Sequence, residues 1–320
     1  MKIGASYSTV SAEELLSKVV PEYKIVNPTT CLFWQRGIND TYQIHTPDEK
    51  YSLRVYRHKL RHRHEINFEI SALNYLSTLG AKVAFPIEKH EGGYITEIQA
   101  PEGMRYVIIT THAEGSELDY DNAESARLFG KSIAEVHNLS TGFETQYTRP
   151  TLEREYLLNT SLETIIPFCT EMPAERKYLQ DTAVDLNRIL SNGNVSALDA
   201  GFCHGDCHGC NVHYDNGALT HFDFDCCGYG LRVFELATFK WGILGDHNEK
   251  ELWTMFLDGY NTIRKISADD MALVDVYVVV RQLSWMALIM GNSDDFGHSE
   301  SDPEFIKHNV GKIKKMLANI

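Results

Sequence analysis

The residues of this chain that could do chemistry are concentrated between positions 202 and 225, in the sequence FCHGDCHGCNVHYDNGALTHFDFD. His204-x-Asp206 is followed by Asn211, which places a carboxylate and an amide on one loop. Asp223 supplies a second carboxylate further along the same stretch. Phosphoryl transfer requires a carboxylate that orients the attacking hydroxyl and oxygen ligands for metal ions. The pattern therefore indicates phosphoryl transfer.

The spacing within this stretch supports that interpretation. Asp206 and Asn211 are separated as in the catalytic loop of kinases, and Asp223-Phe224 stands where kinases carry the start of an Asp-Phe-Gly motif. The segments NVHYD and ALTHFDF flank an Asn-Gly pair, which predicts a hairpin between the two motifs. Asp223 is therefore expected to face the same metal ion as Asn211.

Zinc binding is the sharpest alternative for the same stretch. Cys207-x-x-Cys210 and the adjacent pair Cys226-Cys227 offer four thiolates, and structural zinc sites favour such a set. Adjacent cysteines are awkward ligands, however, because their side chains diverge. The competing interpretation is that Cys203, Cys207 and Cys210 fill space beneath the loop as small apolar residues.

The elements that must position this stretch fall into two groups. Short runs rich in β-branched and aromatic residues predict five strands before position 113, the first three forming an antiparallel meander. HRHEINFEISALNYLSTLG (62–80) has apolar residues at helical spacing and predicts a helix after the third strand. A polar connector is predicted over 113–122, and the rest is mostly helical apart from the hairpin. The sequence thus predicts an α+β architecture in two lobes.

The N-terminal lobe holds residues that could bind a nucleotide. The turn QRGINDTY contains Gly37 and Asn39 between the first two strands, and Gly37 would allow phosphates to approach the backbone closely. Arg54 lies inside the third strand between two apolar residues and is expected on the opposite face from them. Glu69 on the following helix could form an ion pair with Arg54.

Taken together, these features resemble the aminoglycoside phosphotransferase and choline kinase superfamily of small-molecule kinases, from about position 30 to 290. The segments that carry the resemblance, in the order of the family, are YSLRVYR, FEISALNYLSTLG, YVIITTHAEG, GKSIAEVHNLS, the catalytic stretch and VFELATF. The resemblance implies a bilobal protein-kinase-like fold with a five-stranded antiparallel sheet and one helix in the N-terminal lobe. It places the nucleotide-binding lobe at 1–110, a hinge at 111–115 and the catalytic and substrate-binding lobe at 116–320.

The resemblance also implies roles for individual residues. Asp206 would be the catalytic base, and Asn211 and Asp223 would be magnesium ligands. Arg54 would hold phosphates while paired with Glu69. The adenine of ATP would bind the hinge backbone, at positions that count back from Gly115 to Thr111 and Ala113.

The chain departs from the family pattern at a few positions. Arg54 stands where protein kinases use Lys, and an arginine can hold two phosphate oxygens at once. Glu235 stands where relatives often carry Asp, and it is expected to anchor the catalytic loop. Asp225 replaces the Gly of Asp-Phe-Gly and is a further candidate metal ligand. His208 follows the base by two residues, and a role as donor to the γ-phosphate is a hypothesis.

Composition and charge bear on the partner, the membrane association and the cellular compartment of the protein. The formal net charge of −14 argues against nucleic acid as a partner. The most apolar long stretch, 271–290, is interrupted by Asp275 and Arg281, which predicts a buried helix rather than a membrane span. Seven cysteines without an export signal indicate thiols in a reducing cytoplasm.

The sequence therefore predicts a cytoplasmic, ATP- and Mg²⁺-dependent kinase, acting as a monomer or homodimer on a small alcohol. The acidic balance favours an amine-bearing acceptor such as homoserine, a choline-like alcohol or an aminoglycoside. A protein Ser/Thr kinase of the bacterial stress-response type is the main alternative. A pseudokinase binding module is disfavoured because Asp206, Asn211 and Asp223 are all present.

Overall fold

A computed structural model describes residues 3–118, 122–192, 198–318 and 320. Contacts within the chain divide it into two units. The first unit consists of the chain up to Glu117 together with Phe143–Arg149 and Val212–Phe222. The second consists of Leu118–Gly142, Pro150–Asn211 and Asp223–Ile320. Residues 202–225 contribute to both units, because the hairpin after Asn211 belongs to the first.

A five-stranded antiparallel sheet, with strand order β1-β2-β3-β5-β4, forms most of the first unit. Its first three strands pair in sequence order, which confirms the predicted meander. The five strands are β1 (Thr30–Arg36), β2 (Asp40–His45), β3 (Lys50–Val55), β4 (Thr96–Ala100) and β5 (Gly103–Thr111).

The two faces of β3 are buried against different partners. Leu53 and Val55 belong to an apolar cluster with Leu15 and Val19 of the N-terminal segment. Arg54 lies on the other face and pairs across the sheet with Ile108, which packs with the helix α2 (Arg63–Thr78). Alternation along the strand therefore directs Arg54 toward α2.

The N-terminal segment begins with a helical turn that Ser11 caps. The side chain of Ser11 accepts a hydrogen bond from the backbone N–H of Glu14 (3.3 Å). Only α1 (Ala12–Glu14) is α-helical; Leu15–Val19 continues as a wider π-helical turn and Val20–Glu22 as a 3₁₀ turn.

The predicted hairpin is present as β8 (Val212–Asp215) and β9 (Ala218–His221). Asn216 and Gly217 between them have φ of 47° and 87°, the left-handed values that a tight Asn-Gly hairpin turn requires. The connector predicted over 113–122 is not wholly irregular, because β6 (Ser116–Glu117) pairs with β8. Residues 119–121 of that connector lie outside the described residues.

The second unit is mainly helical, as predicted. Its sheet consists of β7 (Ala200–Cys203) and β10 (Gly228–Leu231), which the sequence pattern did not predict. A π-helical turn, Glu155–Thr160, leads into the helix α4 (Ser161–Ile165). The helices are α3 (Ala123–Leu139), α4 (Ser161–Ile165), α5 (Pro173–Asn192), α6 (Val233–Gly242), α7 (Glu249–Ile263), α8 (Ala268–Met290), α9 (Ser293–Phe296) and α10 (Pro303–Leu317).

Two helix features matter for the site. α3 and α7 approach so closely that a Cβ on Gly259 would lie 1.9 Å from the carbonyl oxygen of Arg127, so glycine is required there. α8 is long and apolar enough to cross a membrane by length and composition, but 61% of its most apolar stretch is buried inside the protein. This burial is what the sequence predicts for a core helix.

Candidate active site

The loop that carries Asp206 lies between β7 and β8 and turns sharply at Gly205, whose φ is +84°. A Cβ at this position would lie 2.0 Å from the carbonyl oxygen of Cys226, so only glycine fits. The ring of His204 packs on Phe224, with centroids 4.1 Å apart. The loop is therefore in direct contact with the turn that begins at Asp223.

Glu235, on α6, anchors the loop from beneath. One carboxylate oxygen accepts a hydrogen bond from the backbone N–H of His204 and the other from that of Gly205, each at 2.8 Å. Glu235 is 1% exposed, so both bonds are shielded from water. These are the contacts expected of a residue that anchors the loop.

A buried chain of polar groups orients Glu235. His137 on α3 contacts Glu235 at 3.0 Å through Nε2 and the hydroxyl of Tyr260 at 2.8 Å through Nδ1. Burial lowers the pKa of His137, and the pKa of Glu235 is also low because the bond from His137 and nearby charges outweigh its burial. A neutral imidazole therefore donates to a charged carboxylate and accepts from Tyr260.

The carboxylate of Asp206 is held by three side chains. Asn211 Nδ2 donates to the Asp206 backbone carbonyl (2.9 Å) and to Oδ2 (3.3 Å), and His208 Nε2 lies 3.4 Å from Oδ2. Arg281 Nη2 donates to Oδ1. Burial alone would raise the pKa of Asp206, but the charge of Arg281 and the bond from His208 hold that pKa well below its usual range. Asp206 is thus a fixed, charged acceptor.

Asn211, Asp223 and Asp225 are the residues that could hold a divalent cation. Because the amide nitrogen of Asn211 is bound to Asp206, its side-chain oxygen is the atom left for a metal. Asp223 has left-handed backbone angles (φ 59°, ψ 57°) at the start of a 3₁₀ turn, with Asp225 two residues on and 4% exposed. Oxygen ligands of this kind suit hard cations such as Mg²⁺ or Ca²⁺.

In the first unit, Arg54 and Glu69 form the ion pair that the sequence suggested. Arg54 Nη1 lies 2.6 Å from Glu69 Oε1, and their side chains are 14% and 1% exposed. The hydroxyl of Tyr56 donates to the other oxygen of Glu69 (2.8 Å) and accepts from Arg54 (3.2 Å). Tyr56 is a third member of this cluster that sequence reasoning missed.

The turn between β1 and β2 is held by Arg57. Its guanidinium donates to the carbonyls of Ile38 (2.9 Å) and Gly37 (3.3 Å), and its backbone N–H donates to Asn39 Oδ1 (3.0 Å). Asn39 is 8% exposed, so its side chain supports the turn from within. The backbone at Gly37 is the part of the turn that a phosphate could approach.

The segment predicted to bind adenine follows β5. The backbone N–H of Thr111 donates to the carbonyl of Phe85 (2.9 Å), and the ring of His213 contacts the carbonyl of Ala113 (2.5 Å). Ala113 is 4% exposed. The carbonyl of Ala113 is therefore engaged within the first unit, and a nucleotide at this position would use other backbone groups.

The cysteines of residues 202–225 differ in burial. Cys203 and Cys207 are buried, which raises the pKa of both thiols, whereas Cys210 is exposed and does not fit the packing role predicted for it. Among the described residues, one set of His, Cys and acidic ligand atoms lies close enough to share a metal: His137, Cys203 and Glu235. The carboxylate of Glu235 in this set already accepts the two hydrogen bonds that anchor the loop.

Sequence reasoning missed the residues that come to this site from distant helices. His137 and Tyr260 are among them, and Arg281 was noted only as a charge that interrupts an apolar stretch. That interruption was the available signal, because a charge in a buried helix needs a partner.

Comparison with known proteins places the chain in a family. The model of the phosphotransferase enzyme family matches residues 30–272, and the chain belongs to this family. A protein of Synechocystis sp. is 34% identical over 263 residues, 82% of this chain and 73% of its own length. The homoserine kinase of Polaromonas naphthalenivorans is 23% identical over 290 residues, 88% and 87% of the two chains. The protein is accordingly a phosphotransferase enzyme.

Solved structures agree in fold. An amicoumacin kinase in complex with AMP-PNP, Ca²⁺ and Ami superposes with a TM-score of 0.77 at 21% identity, covering 96% of this chain and 94% of the other. A microcompartment-associated aminopropanol kinase gives a TM-score of 0.73 at 20% identity, covering 95% and 94%. These similarities confirm the kinase-like α+β fold predicted from the sequence.

Proposed function

We propose that the protein is an ATP- and magnesium-dependent kinase that phosphorylates a hydroxyl of a small, amine-bearing molecule. The observation that carries the proposal is the Asp206 carboxylate, fixed on a loop whose backbone is bound by Glu235 and whose Asn211 binds Asp206 directly. A carboxylate held in this way can orient an alcohol and accept its proton as the phosphoryl group is transferred.

The nucleotide would be held mainly by the first unit. Arg54, kept in place by Glu69 and Tyr56, supplies a guanidinium suited to phosphate oxygens. The Gly37 turn would lie against the phosphates, and the backbone of Thr111 and Ala113 would bind adenine. His208, which lies beside Asp206, would donate to the transferred phosphoryl group.

Asn211 and Asp223 would hold the magnesium ions, with Asp225 as an additional ligand. The metal supplies charge that neutralises the phosphate oxygens during transfer. The residues present fit such an ion, because all three offer oxygen atoms and the turn at Asp223 contacts the loop of Asp206. The AMP-PNP and Ca²⁺ bound to the amicoumacin kinase support an ATP site with a divalent metal.

The acceptor is proposed from the comparisons together with the acidic composition. Relatives are named for homoserine, and a structural neighbour for aminopropanol, both of which are alcohols that carry an amine. A net charge of −14 favours a cationic acceptor over an anionic macromolecule. Homoserine is the nearest single candidate.

The test is a screen for acceptor-dependent ATP consumption with amino alcohols, hydroxy amino acids, amino sugars and aminoglycosides, and with casein as a protein acceptor. Asp206→Ala should fold and bind ATP but lose at least ~10²-fold in kcat, the scale of a positioned base. Asp215→Ala, an exposed aspartate on the hairpin, is the matched control and should retain activity. Wild-type turnover in Asp206→Ala would refute the mechanism, and phosphorylation of casein alone would refute the acceptor class.

A further inference from the structure

Arg281 occupies an unusual position for a charged residue. It lies in α8, the most apolar helix of the chain, and is 7% exposed. Its Nη2 donates to Asp206 Oδ1, and its guanidinium carbon lies 5.2 Å from the centre of the Trp241 ring. The Nε of Arg281 is buried and has no hydrogen-bond partner among the residues that the structure describes.

The guanidinium is therefore only partly used. Arginine has five N–H donors in a planar fork that matches the two oxygens of a carboxylate. Leaving a buried donor unsatisfied is costly, so proteins rarely retain one without a reason. Asp206 engages only Nη2, so an oxyanion that bound another donor of the guanidinium would lie beside Asp206.

The location of this donor is what links it to the acceptor. Both oxygens of Asp206 carry N–H partners, because Oδ2 is bound by Asn211 and faces His208 while Oδ1 is bound by Arg281. An acceptor hydroxyl that binds Asp206 at Oδ1 must share that oxygen with Arg281. The hydroxyl and the guanidinium would then be neighbours, within the span of a small molecule.

Charge around the site favours an anionic group at Arg281 in particular. Lys240 on α6, which packs against α8, is neutralised by Asp275 at 2.5 Å. Arg281, by contrast, pairs with the carboxylate that must engage the acceptor. Arg281 is thus a buried cation whose counter-ion is the carboxylate needed for the proposed chemistry.

We propose that Arg281 binds a carboxylate of the phosphate acceptor and thereby selects hydroxy amino acids over amino alcohols that lack a carboxylate. This inference rests on the proposed function and narrows its acceptor class. The acceptor carboxylate binds guanidinium donors that Asp206 leaves unused, and the hydroxyl of the same molecule binds Asp206 Oδ1. Arg281 is then a specificity-determining residue beside the catalytic carboxylate.

The experiment compares hydroxy amino acids with their decarboxylated counterparts, which differ only in the carboxylate. The pairs are serine and ethanolamine, threonine and 1-amino-2-propanol, and homoserine and 3-amino-1-propanol. The purified wild-type protein should favour the amino acid of its best pair by ~10²-fold in kcat/KM, the scale of lost charge-assisted hydrogen bonds. Arg281→Gln should abolish that preference, so that kcat/KM for the amino acid falls ~10²-fold further than kcat/KM for the amino alcohol, which also falls because Asp206 loses its ion pair.

Control variants separate the outcomes. Arg281→Lys keeps the charge but not the fork and should retain part of the preference. Arg188→Gln, at an exposed arginine of α5, should behave as the wild-type protein. Equal losses on both members of a pair in Arg281→Gln would overturn the inference and indicate contact with the transferred phosphoryl group instead.

The two proposals fail in different ways. Acceptors that all lack a carboxylate would overturn the role of Arg281 and leave the kinase function standing. A wild-type protein that phosphorylates none of the small molecules tested would overturn the proposed function, and the inference with it.

Discussion

Replacement of Glu235 by glutamine tests how the catalytic loop is held in place. The Glu235 carboxylate accepts one hydrogen bond from the backbone N–H of His204 and one from that of Gly205, both 2.8 Å long. Glutamine has nearly the same shape but only one acceptor oxygen, and its NH₂ group donates. One of the two backbone N–H groups must therefore face another donor in a buried environment.

The magnitude follows from these contacts. A buried N–H left unsatisfied costs ~1–3 kcal/mol, and the surviving bond loses ~1 kcal/mol because its acceptor is no longer charged. The free energy of unfolding should therefore fall by ~2–4 kcal/mol. With ~2.1 cal/mol/K of unfolding entropy per residue, a chain of 320 residues should lose ~3–6 °C in Tm.

Scanning calorimetry and steady-state kinetics together provide the assay. Because the loop backbone would shift, kcat should fall by ~10-fold or more, since displacement of a catalytic group by about 1 Å costs up to ~10²-fold. Glu251→Gln, at an exposed position of α7, is the control for loss of one negative charge. A Glu235→Gln protein with wild-type Tm and kcat would show that Glu235 does not anchor the loop.

Two further predictions concern the buried pairs. Because the folded-state pKa of His137 is lowered, the unfolded chain binds a proton at acid pH that the folded chain does not. The free energy of unfolding should therefore fall as pH drops below ~6.5, by up to ~1.4 kcal/mol per pH unit. His137→Gln should flatten this slope in urea unfolding between pH 7 and 5, and an unchanged slope would contradict a neutral, buried His137. Glu69→Ala should cost ~3–5 kcal/mol of stability by removing the buried carboxylate that pairs with Arg54, and it should raise KM for ATP rather than for the acceptor. Glu97→Ala, in an exposed pair with Arg63, should cost no more than ~1 kcal/mol. Equal effects of the two changes would contradict the importance of burial.

Local patterns predicted most of the fold, and the failures have a physical cause. β1 and the Asn216-Gly217 hairpin were predicted because their residues favour strands and a left-handed turn on their own. β7 and β10 read Ala-Gly-Phe-Cys and Gly-Tyr-Gly-Leu, which have low strand propensity. Tertiary contacts require glycine in these strands, since a Cβ on Gly230 would lie 2.4 Å from the carbonyl oxygen of Leu152. Such strands form by long-range pairing that no local pattern encodes.

The candidate site shows the same difference between contacts that are local in sequence and contacts that are distant in sequence. Spacing along one segment predicted the Asp206–Asn211 loop and the Asp223 turn as candidates, because these residues are neighbours in sequence. The order of strand and helix predicted the pairing of Arg54 with Glu69. The support of the loop by His137 and Tyr260 depends on close packing of α3 and α7, and nothing in the spacing of those residues from Asp206 indicates it.

Arg281 shows what a sequence can and cannot say about a buried charge. Its place in an apolar helix implies an opposite charge nearby, because an unpaired guanidinium is not tolerated in a protein interior. The sequence does not identify that partner among the 44 acidic residues, and the structure identifies it as Asp206. A buried ion pair gives little net stability over an apolar substitute, so folding alone does not account for it. A cation bound to the oxygen that is proposed to accept the reacting hydroxyl is better explained by the acceptor, whose own carboxylate would bind guanidinium donors that Asp206 leaves unused.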